Sequence, residues 1–310
     1  MLNINQLSKL GIGTWGIGGF AERNPQNDDE RQISAISEML RRGLNYIEVN
    51  YWTANGHSMD LVKRSIDKSG ISRDKIFISQ SIYSNTAHNL EDANVELNYA
   101  LDLFDTEYID SLAFNSNLIE SIGQEQVFLW FKSLIESKKV RYVNLNNPSL
   151  EVLKQACNFF GKNLFSIEVG LNFEIRENCD SGIIDYARSK NVLPVIYQPL
   201  RRNRTSKRNW PLLVELTKKY NKTQNQIILN WLVTTKHLPL VKTDSLEHIN
   251  ENMESFGFKL EDSDVRRVDT YRPVNYIKPN VYWGSKGDGV RIDQLSNVFD
   301  EEYDKQQNRN

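Results

Sequence analysis

The chain has 310 residues, 39% hydrophobic and 25% charged, a balance that suits one large globular domain. Its formal net charge of −2 argues against the broad positive field that nucleic acid or an anionic membrane surface would require. Two cysteines and four scattered histidines form neither a disulfide framework nor a metal-ligand spacing, so we expect no metal. Because no signal peptide or membrane span is evident, we expect a cytoplasmic protein.

Short apolar, β-branched runs alternate with helical patterns along most of the chain. Eight strands are predicted: LSKLGIGTWG from Leu7, YIEVN from Tyr46, IFISQSIY from Ile76, SLAFNSN from Ser111, YVNLNN from Tyr142, FSIEVGLN from Phe165, LPVIYQPL from Leu193 and LPLVKT from Leu238. Capping residues mark helix starts between them, for instance Asn89 and the segment from Thr243 to Ser245. Eight strand–helix units predict an α/β protein, a (β/α)8 TIM barrel in a single domain over residues 1–272.

Two polar segments depart from this alternation. RRNRTSKRN begins at Arg201, after the seventh strand, and residues 273–310 are rich in aromatic and charged side chains. We predict that the first is a loop over the barrel mouth. The second is predicted to be a C-terminal loop and partly ordered tail over or beside that mouth.

A glycine motif near the start of the chain has two interpretations. Gly11, Gly13 and Gly16 match G-x-G-x-x-G, the pattern that cradles a dinucleotide pyrophosphate at the start of a helix. Here the glycines lie within a strand-like segment, and a loop follows instead of a helix. The barrel-strand interpretation is therefore favoured over a Rossmann turn.

Six segments follow one another between about Leu10 and about Asp269. They are LGIGTWGIGG from Leu10, GLNYIEVNYWTANGHS from Gly43, EYIDSLAFN from Glu107, KVRYVNLNN from Lys139, YQPL from Tyr197 and KTDSLEHINEN from Lys242. Together, in this order and spacing, they resemble the aldo-keto reductase family. The resemblance implies a (β/α)8 barrel that binds NADP(H) at the carboxyl ends of its strands.

The resemblance also implies a catalytic tetrad of aspartate, tyrosine, lysine and histidine, and this chain departs from it at every position. The matched segments have Glu48, Thr53, Ser81 and Asn115 at those four places. A threonine hydroxyl is too weak an acid to replace a lysine-assisted phenol, and general acid catalysis typically contributes about 10²- to 10⁴-fold. We therefore expect ordinary carbonyl reduction to be strongly impaired.

Three residues are candidates for catalysis by another route. Tyr51 lies two residues before the family's tyrosine position, although a packing role is favoured for it. Glu48 would act as acid or base if it were desolvated, whereas pairing with an arginine or solvation would leave it inert. Asn115 is a candidate oxyanion donor. Both interpretations of Glu48 stay open.

The cofactor site that the resemblance implies keeps more of the family's residues than the catalytic tetrad does. Its adenosine end matches Lys242, Thr243, His248, Glu251 and Asn252, where His248 replaces a phosphate-binding arginine, so preference for the 2′-phosphate should weaken. The remaining predicted contacts are Trp15, Asn146, Asn147, Glu168, Tyr197 and Leu200. Tyr197 takes the place of the aromatic residue on which nicotinamide stacks, and Glu168 that of its glutamine partner.

Two groups at the mouth keep alternative interpretations. Arg201, Arg202 and Arg204 either wrap a pyrophosphate or belong to a solvated loop. Side chains able to stack on and hydrogen-bond a sugar-like small molecule gather there too: Trp15, Trp52, Asn115, Asn172 and Trp283.

Three hypotheses about function follow. The first is an aldo-keto-reductase-like protein with a partly retained NADP(H) site and a lost tetrad. The second is an NADP(H)-dependent oxidoreductase acting on a sugar-like carbonyl through Glu48 or Tyr51. The third is a non-redox enzyme or a regulatory or interaction protein on the same barrel.

Overall fold

The computed structural model describes residues 4–273 and 279–308. Eight strands form its central sheet: β1 (Gly11–Ile12), β2 (Tyr46–Val49), β3 (Phe77–Ile82), β4 (Ile109–Asn115), β5 (Val140–Asn146), β6 (Leu164–Gly170), β7 (Leu193–Tyr197) and β8 (Leu238–Val241). All neighbouring pairs are parallel, and β1 pairs with both β2 and β8, which closes the sheet. The prediction of a (β/α)8 barrel is confirmed.

Helices cover the outside of the barrel and connect successive strands. They are α1 (Asp29–Arg41), α2 (His57–Ser69), α3 (Leu90–Leu103), α4 (Ser116–Ile122), α5 (Gln124–Glu136), α6 (Leu150–Phe160), α7 (Glu177–Asp180), α8 (Ile183–Ser189), α9 (Arg204–Lys207), α10 (Pro211–Tyr220), α11 (Gln224–Thr234), α12 (Leu246–Glu254), α13 (Asp262–Thr270) and α14 (Leu295–Gln307). The predicted caps are present, because Asn89 accepts from the Asp92 N–H and Ser245 from the His248 N–H. None of the helices within residues 4–273 and 279–308 could cross a bilayer.

The barrel interior is apolar at the amino-terminal ends of the strands and polar toward their carboxyl ends. Tyr46, Phe77 and Phe165 stack there, with ring centroids 5.3 Å and 5.1 Å apart along the series. Gly11 lies beside them, where a Cβ atom would come within 2.8 Å of the Leu240 and Tyr46 side chains. This glycine therefore serves close packing inside the barrel, as the strand interpretation of its motif requires.

Beyond the barrel, the C-terminal segment contains more regular secondary structure than the sequence predicted. It carries a parallel pair of two-residue strands, β9 (Val281–Tyr282) and β10 (Val290–Arg291), and then the 13-residue helix α14. Ile292, Leu295 and Phe299 are buried in one cluster with Ile175. Their spacing of three to four residues provides the apolar face on which α14 packs. Residues 274–278, near the predicted start of this segment, lie outside the described residues.

Candidate functional site

Glu48 of β2 and Glu168 of β6, here called the carboxyl pair, face the barrel lumen near the carboxyl ends of the strands. They are only 4% and 3% exposed. Asn50 Nδ2 donates to Glu48 Oε1 at 3.0 Å, and Ser81 Oγ donates to Glu168 Oε2 at 3.4 Å. No salt bridge reaches either carboxyl from the described residues, so Glu48 has neither an arginine partner nor a solvated position there.

Burial sets the protonation of the carboxyl pair. It raises the pKa of Glu48, against the hydrogen bond from Asn50, and raises the pKa of Glu168 well above its ordinary value. The negative charge of Glu48 raises the pKa of Glu168 further. Both shifts favour the protonated forms of these carboxyls, and the effect is larger for Glu168. Within residues 4–273 and 279–308, no group of three histidine, cysteine, aspartate or glutamate side chains could bind a metal ion.

The other residues at the implied tetrad positions already have hydrogen-bond partners. Both the backbone N–H and the hydroxyl of Thr53 donate to Asn50 Oδ1 at 2.8 Å. Ser81 donates to Glu168, and Asn115 Oδ1 accepts from the Leu118 N–H at 3.1 Å, capping α4. The Asn115 carbonyl oxygen is thus committed to a helix start, while its amide N–H groups have no such role.

Three aromatic rings, here called the aromatic wall, line one side of the mouth: Trp15, Trp52 and Tyr83. The Trp15 and Trp52 ring centroids are 4.5 Å apart, and those of Trp52 and Tyr83 are 5.5 Å apart. Asn146 Nδ2 donates to the Tyr83 hydroxyl at 3.3 Å. Sequence reasoning missed Tyr83, although its place two residues after Ser81 on the same strand end could have indicated it.

Tyr51 belongs to a different environment from the aromatic wall. Its ring packs edge-on against Tyr99 at 5.3 Å, and a Cβ atom on Gly56 would come within 2.8 Å of it. It also contacts the main apolar core. These contacts agree with the packing role favoured for Tyr51.

The predicted nicotinamide contacts form one hydrogen-bonded set. The Tyr197 hydroxyl donates to Asn147 Oδ1 at 3.0 Å, and Asn147 Nδ2 donates to Asn146 Oδ1 at 3.1 Å. Gly170 lies directly under the Tyr197 side chain, since a Cβ atom there would be 3.1 Å from two ring carbons and from the hydroxyl oxygen. Burial raises the pKa of Tyr197, so its hydroxyl stays neutral. Leu200, the next predicted contact, packs against the main core.

The predicted adenosine contacts lie around the start of α12. Lys242 and His248 are exposed, and Thr243 Oγ1 accepts from the Ser245 N–H at 3.0 Å. Glu251 accepts from the Thr223 hydroxyl at 2.6 Å, while Asn252 is buried. The site therefore presents two basic side chains beside a helix N-terminus, a donor set that fits a phosphate group.

The arginines after β7 divide into one buried side chain, Arg201, and two exposed ones, Arg202 and Arg204. Arg201 is buried and pairs with Glu174 and Asp300, while Arg204 binds Asp300 at 2.6 Å. The Arg202 guanidinium lies 5.2 Å from the Phe20 ring centroid. The segment contains a 3-10 turn (Arg201–Asn203) followed by the four-residue helix α9, so this connection is more regular than the predicted loop. Arg201 and Arg204 bind carboxylates of the chain itself, as a structural anchor for α14.

Two further residues predicted at the mouth have structural contacts. Asn172 Oδ1 accepts from the backbone N–H groups of Glu174 and Ile175 at 3.0 Å and 2.8 Å, shaping the turn after β6. Trp283 packs with the apolar cluster of the C-terminal segment. Neither contact is with the aromatic wall.

Comparisons with known proteins agree with this architecture. The pattern of the "Aldo/keto reductase family" matches residues 9–272. A 9,11-endoperoxide prostaglandin H2 reductase of Trypanosoma cruzi (strain CL Brener) is 23% identical over 275 residues, covering 86% of this chain and 88% of that protein. Glycerol 2-dehydrogenase (NADP(+)) of Saccharomyces cerevisiae is 20% identical over 283 residues, covering 83% and 85%.

Solved structures give the same result. A thermostable aldo-keto reductase in complex with the inhibitor epalrestat has a TM-score of 0.77 at 25% identity, covering 85% of this chain and 95% of that chain. An aldo-keto reductase from Klebsiella pneumoniae in complex with NADPH has a TM-score of 0.69 at 18% identity, covering 86% and 92%. With a family match over residues 9–272 and the barrel that goes with it, the chain belongs to the aldo/keto reductase family.

Proposed function

We propose that this chain keeps a groove for a nicotinamide nucleotide but lacks the proton-transfer residues of its family, so that ordinary carbonyl reduction is not its activity. One observation carries the proposal. The Thr53 and Ser81 hydroxyls, at the implied tyrosine and lysine positions, both donate to buried polar side chains, Asn50 and Glu168. Neither group can supply the acidic, lysine-assisted proton that carbonyl reduction in this family requires.

The fit of the nucleotide rests on the phosphate-binding end. Lys242, His248 and the start of α12 would hold the 2′-phosphate, and Tyr197, Asn147 and Glu168 would face the nicotinamide. A relative is named for NADP(+) and one solved neighbour contains NADPH, which supports the same cofactor here. Bound NADP(H) would supply hydride chemistry. Histidine in place of arginine is expected to weaken the preference for the 2′-phosphate.

Calorimetric titration with NADPH and NADH tests the first half of the proposal. We expect NADPH to bind with a dissociation constant in the low micromolar range, about −8 kcal/mol, and NADH to bind only a few-fold more weakly. Absence of heat with either nucleotide would count against a retained groove. It would favour the non-redox or interaction hypothesis.

Consumption of NADPH with a panel of aldehydes, ketones and sugars tests the second half. We expect rates at least about 10²-fold below those of a relative with the full tetrad. The matched variant is Thr53→Ser, which keeps the hydroxyl and should change nothing. Rapid turnover of any carbonyl would contradict a lost activity.

The raised pKa of Glu48 supports a second candidate, an oxidoreductase that uses this carboxyl as its acid on a sugar-like carbonyl. The aromatic wall would stack on such a ring. Turnover that falls by about 10²-fold in Glu48→Gln and is unchanged in Tyr51→Phe would establish this candidate. For the chain as a whole we propose a barrel domain over residues 1–272, a C-terminal segment over 273–310, and a cytoplasmic location.

A further inference from the structure

We propose that the barrel mouth binds an organic cation, held between the carboxyl pair (Glu48 and Glu168) and the aromatic wall (Trp15, Trp52 and Tyr83). The proposal deepens the proposed function, since it concerns the same mouth. It names the chemical class of the group that enters there. Its basis is the presence of two buried carboxyls beside π faces, with no balancing positive side chain among the described residues.

The hydrogen bonds to the carboxyl pair come from neutral groups. Glu48 receives a hydrogen bond from the neutral amide of Asn50, and Glu168 receives one from the neutral hydroxyl of Ser81. No lysine, arginine or histidine of the described residues forms a salt bridge with either. Burying a carboxylate without a counter-charge is costly. A bound cation would supply that charge and stabilise the ionised pair.

The aromatic wall also attracts cations. Tyr83 links the two features, because its hydroxyl is near both carboxyls and its ring packs against Trp52. The Trp15 ring extends the wall beyond Trp52. Cations bind over the faces of tryptophan and tyrosine rings, and clusters of such rings recognise quaternary and primary ammonium groups.

A buried polar group below the pair is an independent observation. The Tyr46 hydroxyl is wholly buried and forms no hydrogen bond of normal geometry within residues 4–273 and 279–308, although the Ser79 and Ser111 hydroxyls lie near it. It lies close enough to Glu168 and Glu48 for both charges to raise its pKa, after burial itself. The lumen therefore contains a buried polar atom near the carboxyl pair whose hydrogen bonding is incomplete within the described residues.

Ligand binding should be coupled to proton release. The titratable groups that face the pair are the phenols of Tyr46, Tyr83 and Tyr197, all with raised pKa values, so they stay neutral. Glu48 and Glu168 are the carboxyls among these groups, and the pKa of each is raised, so they are the groups that can exchange a proton when a ligand binds. A cation binds the ionised pair better than the protonated pair, so it should expel a proton. A neutral ligand of the same shape should expel none.

Two kinds of molecule carry the required charge: an oxidised nicotinamide ring, and a free amine. Titration at about pH 6.5 should compare NADP+ with NADPH, and glucosamine with glucose, each in two buffers of different ionisation enthalpy. In at least one pair, we expect the molecule with the positively charged ring or amine to bind about tenfold more tightly than its counterpart and to release up to one proton. Preference within the first pair identifies the nicotinamide ring, and preference within the second identifies an amine.

Variants of two buried carboxyls distinguish a direct role of the carboxyl pair in cation binding from a purely structural role. Glu168→Gln should abolish both the preference and the proton release, while Glu96→Gln, another buried carboxyl but on α3 outside the lumen, should keep both. Equal affinity within both pairs for the unaltered protein overturns the proposal, whatever the stability of the variants. If NADPH binds and neither pair shows a preference, the proposed nucleotide groove stands and the cation site fails. If glucosamine is preferred over glucose and no nucleotide binds, the cation site stands and the nucleotide groove fails.

Discussion

Arg201 and Glu174 form an ion pair whose side chains are 1% and 0% exposed, and it joins the segment after β7 to the turn after β6. Glu174 also accepts from the Trp210 indole N–H at 2.6 Å and the Thr205 hydroxyl at 3.0 Å. Arg201 reaches a second carboxylate, Asp300 of α14, at 2.6 Å. This network holds the C-terminal helix to the rim of the barrel.

Replacing Arg201 with alanine should lower the free energy of unfolding by about 3 kcal/mol, because the buried Glu174 loses its closest partner and keeps only the weaker contact with Arg208 at 3.1 Å. Urea denaturation of the purified variant measures the loss. Arg204→Ala is the matched control, since Arg204 binds the same Asp300 but is half exposed, and should cost less than about 1 kcal/mol. Equal losses in the two variants would show that burial of Arg201 is not what matters.

Glu96 of α3 makes stability depend on pH. Burial raises its pKa to about 7 from an ordinary 4.5, against the effect of a hydrogen bond from the Thr86 side chain. Because the folded state favours the neutral form, the contribution is fully present below about pH 4.5 and is lost as pH rises through 7. The shift corresponds to about 3 kcal/mol.

The variant Glu96→Gln should therefore be more stable than the unaltered protein at pH 8, by up to about 3 kcal/mol, and similar to it near pH 4. Denaturation at several pH values gives the difference curve. Glu91→Gln, an exposed change on the same helix, should give an almost flat difference curve. A flat curve for Glu96→Gln would mean that the carboxyl is ionised and hydrated in the folded state.

The substitution His248→Arg should restore preference for a 2′-phosphate. Arginine offers a permanently charged, bidentate fork beside the start of α12, so NADPH should bind about tenfold more tightly while NADH is unchanged. Calorimetry with both nucleotides checks this. His88→Arg makes the same chemical change at another exposed histidine and should alter neither affinity. Tighter binding of both nucleotides would indicate general charge attraction and not phosphate recognition.

Local sequence signals were enough to predict the scaffold. Alternating apolar runs located all eight strands, and the Asn89 and Ser245 side chains cap α3 and α12 as their positions indicated. These features depend on residues within a few positions of one another. The order of the matched segments then identified the family.

The anchoring network could not be predicted in this way. Arg201 lies 27 residues from Glu174 and 99 from Asp300, and nothing in a run of arginines shows which carboxylates the fold will bring to it. Tyr83 was missed for a related reason, because an aromatic residue at a strand end usually indicates packing. Its nearness to Glu48 and Glu168 depends on closure of the barrel.

The attachment of α14 has a consequence for the order of folding. All eight strands precede α14 in the chain, whereas the Asp300 partners Arg201, Arg204 and Arg208 lie more than 90 residues earlier. The barrel can thus close while the ribosome is still adding the C-terminal segment, and α14 docks afterwards on a preformed surface. The folded protein should show the same division between the barrel and α14. We expect the amide hydrogens of α14 to exchange through local detachment of that helix, and those of the barrel strands to exchange only through global unfolding.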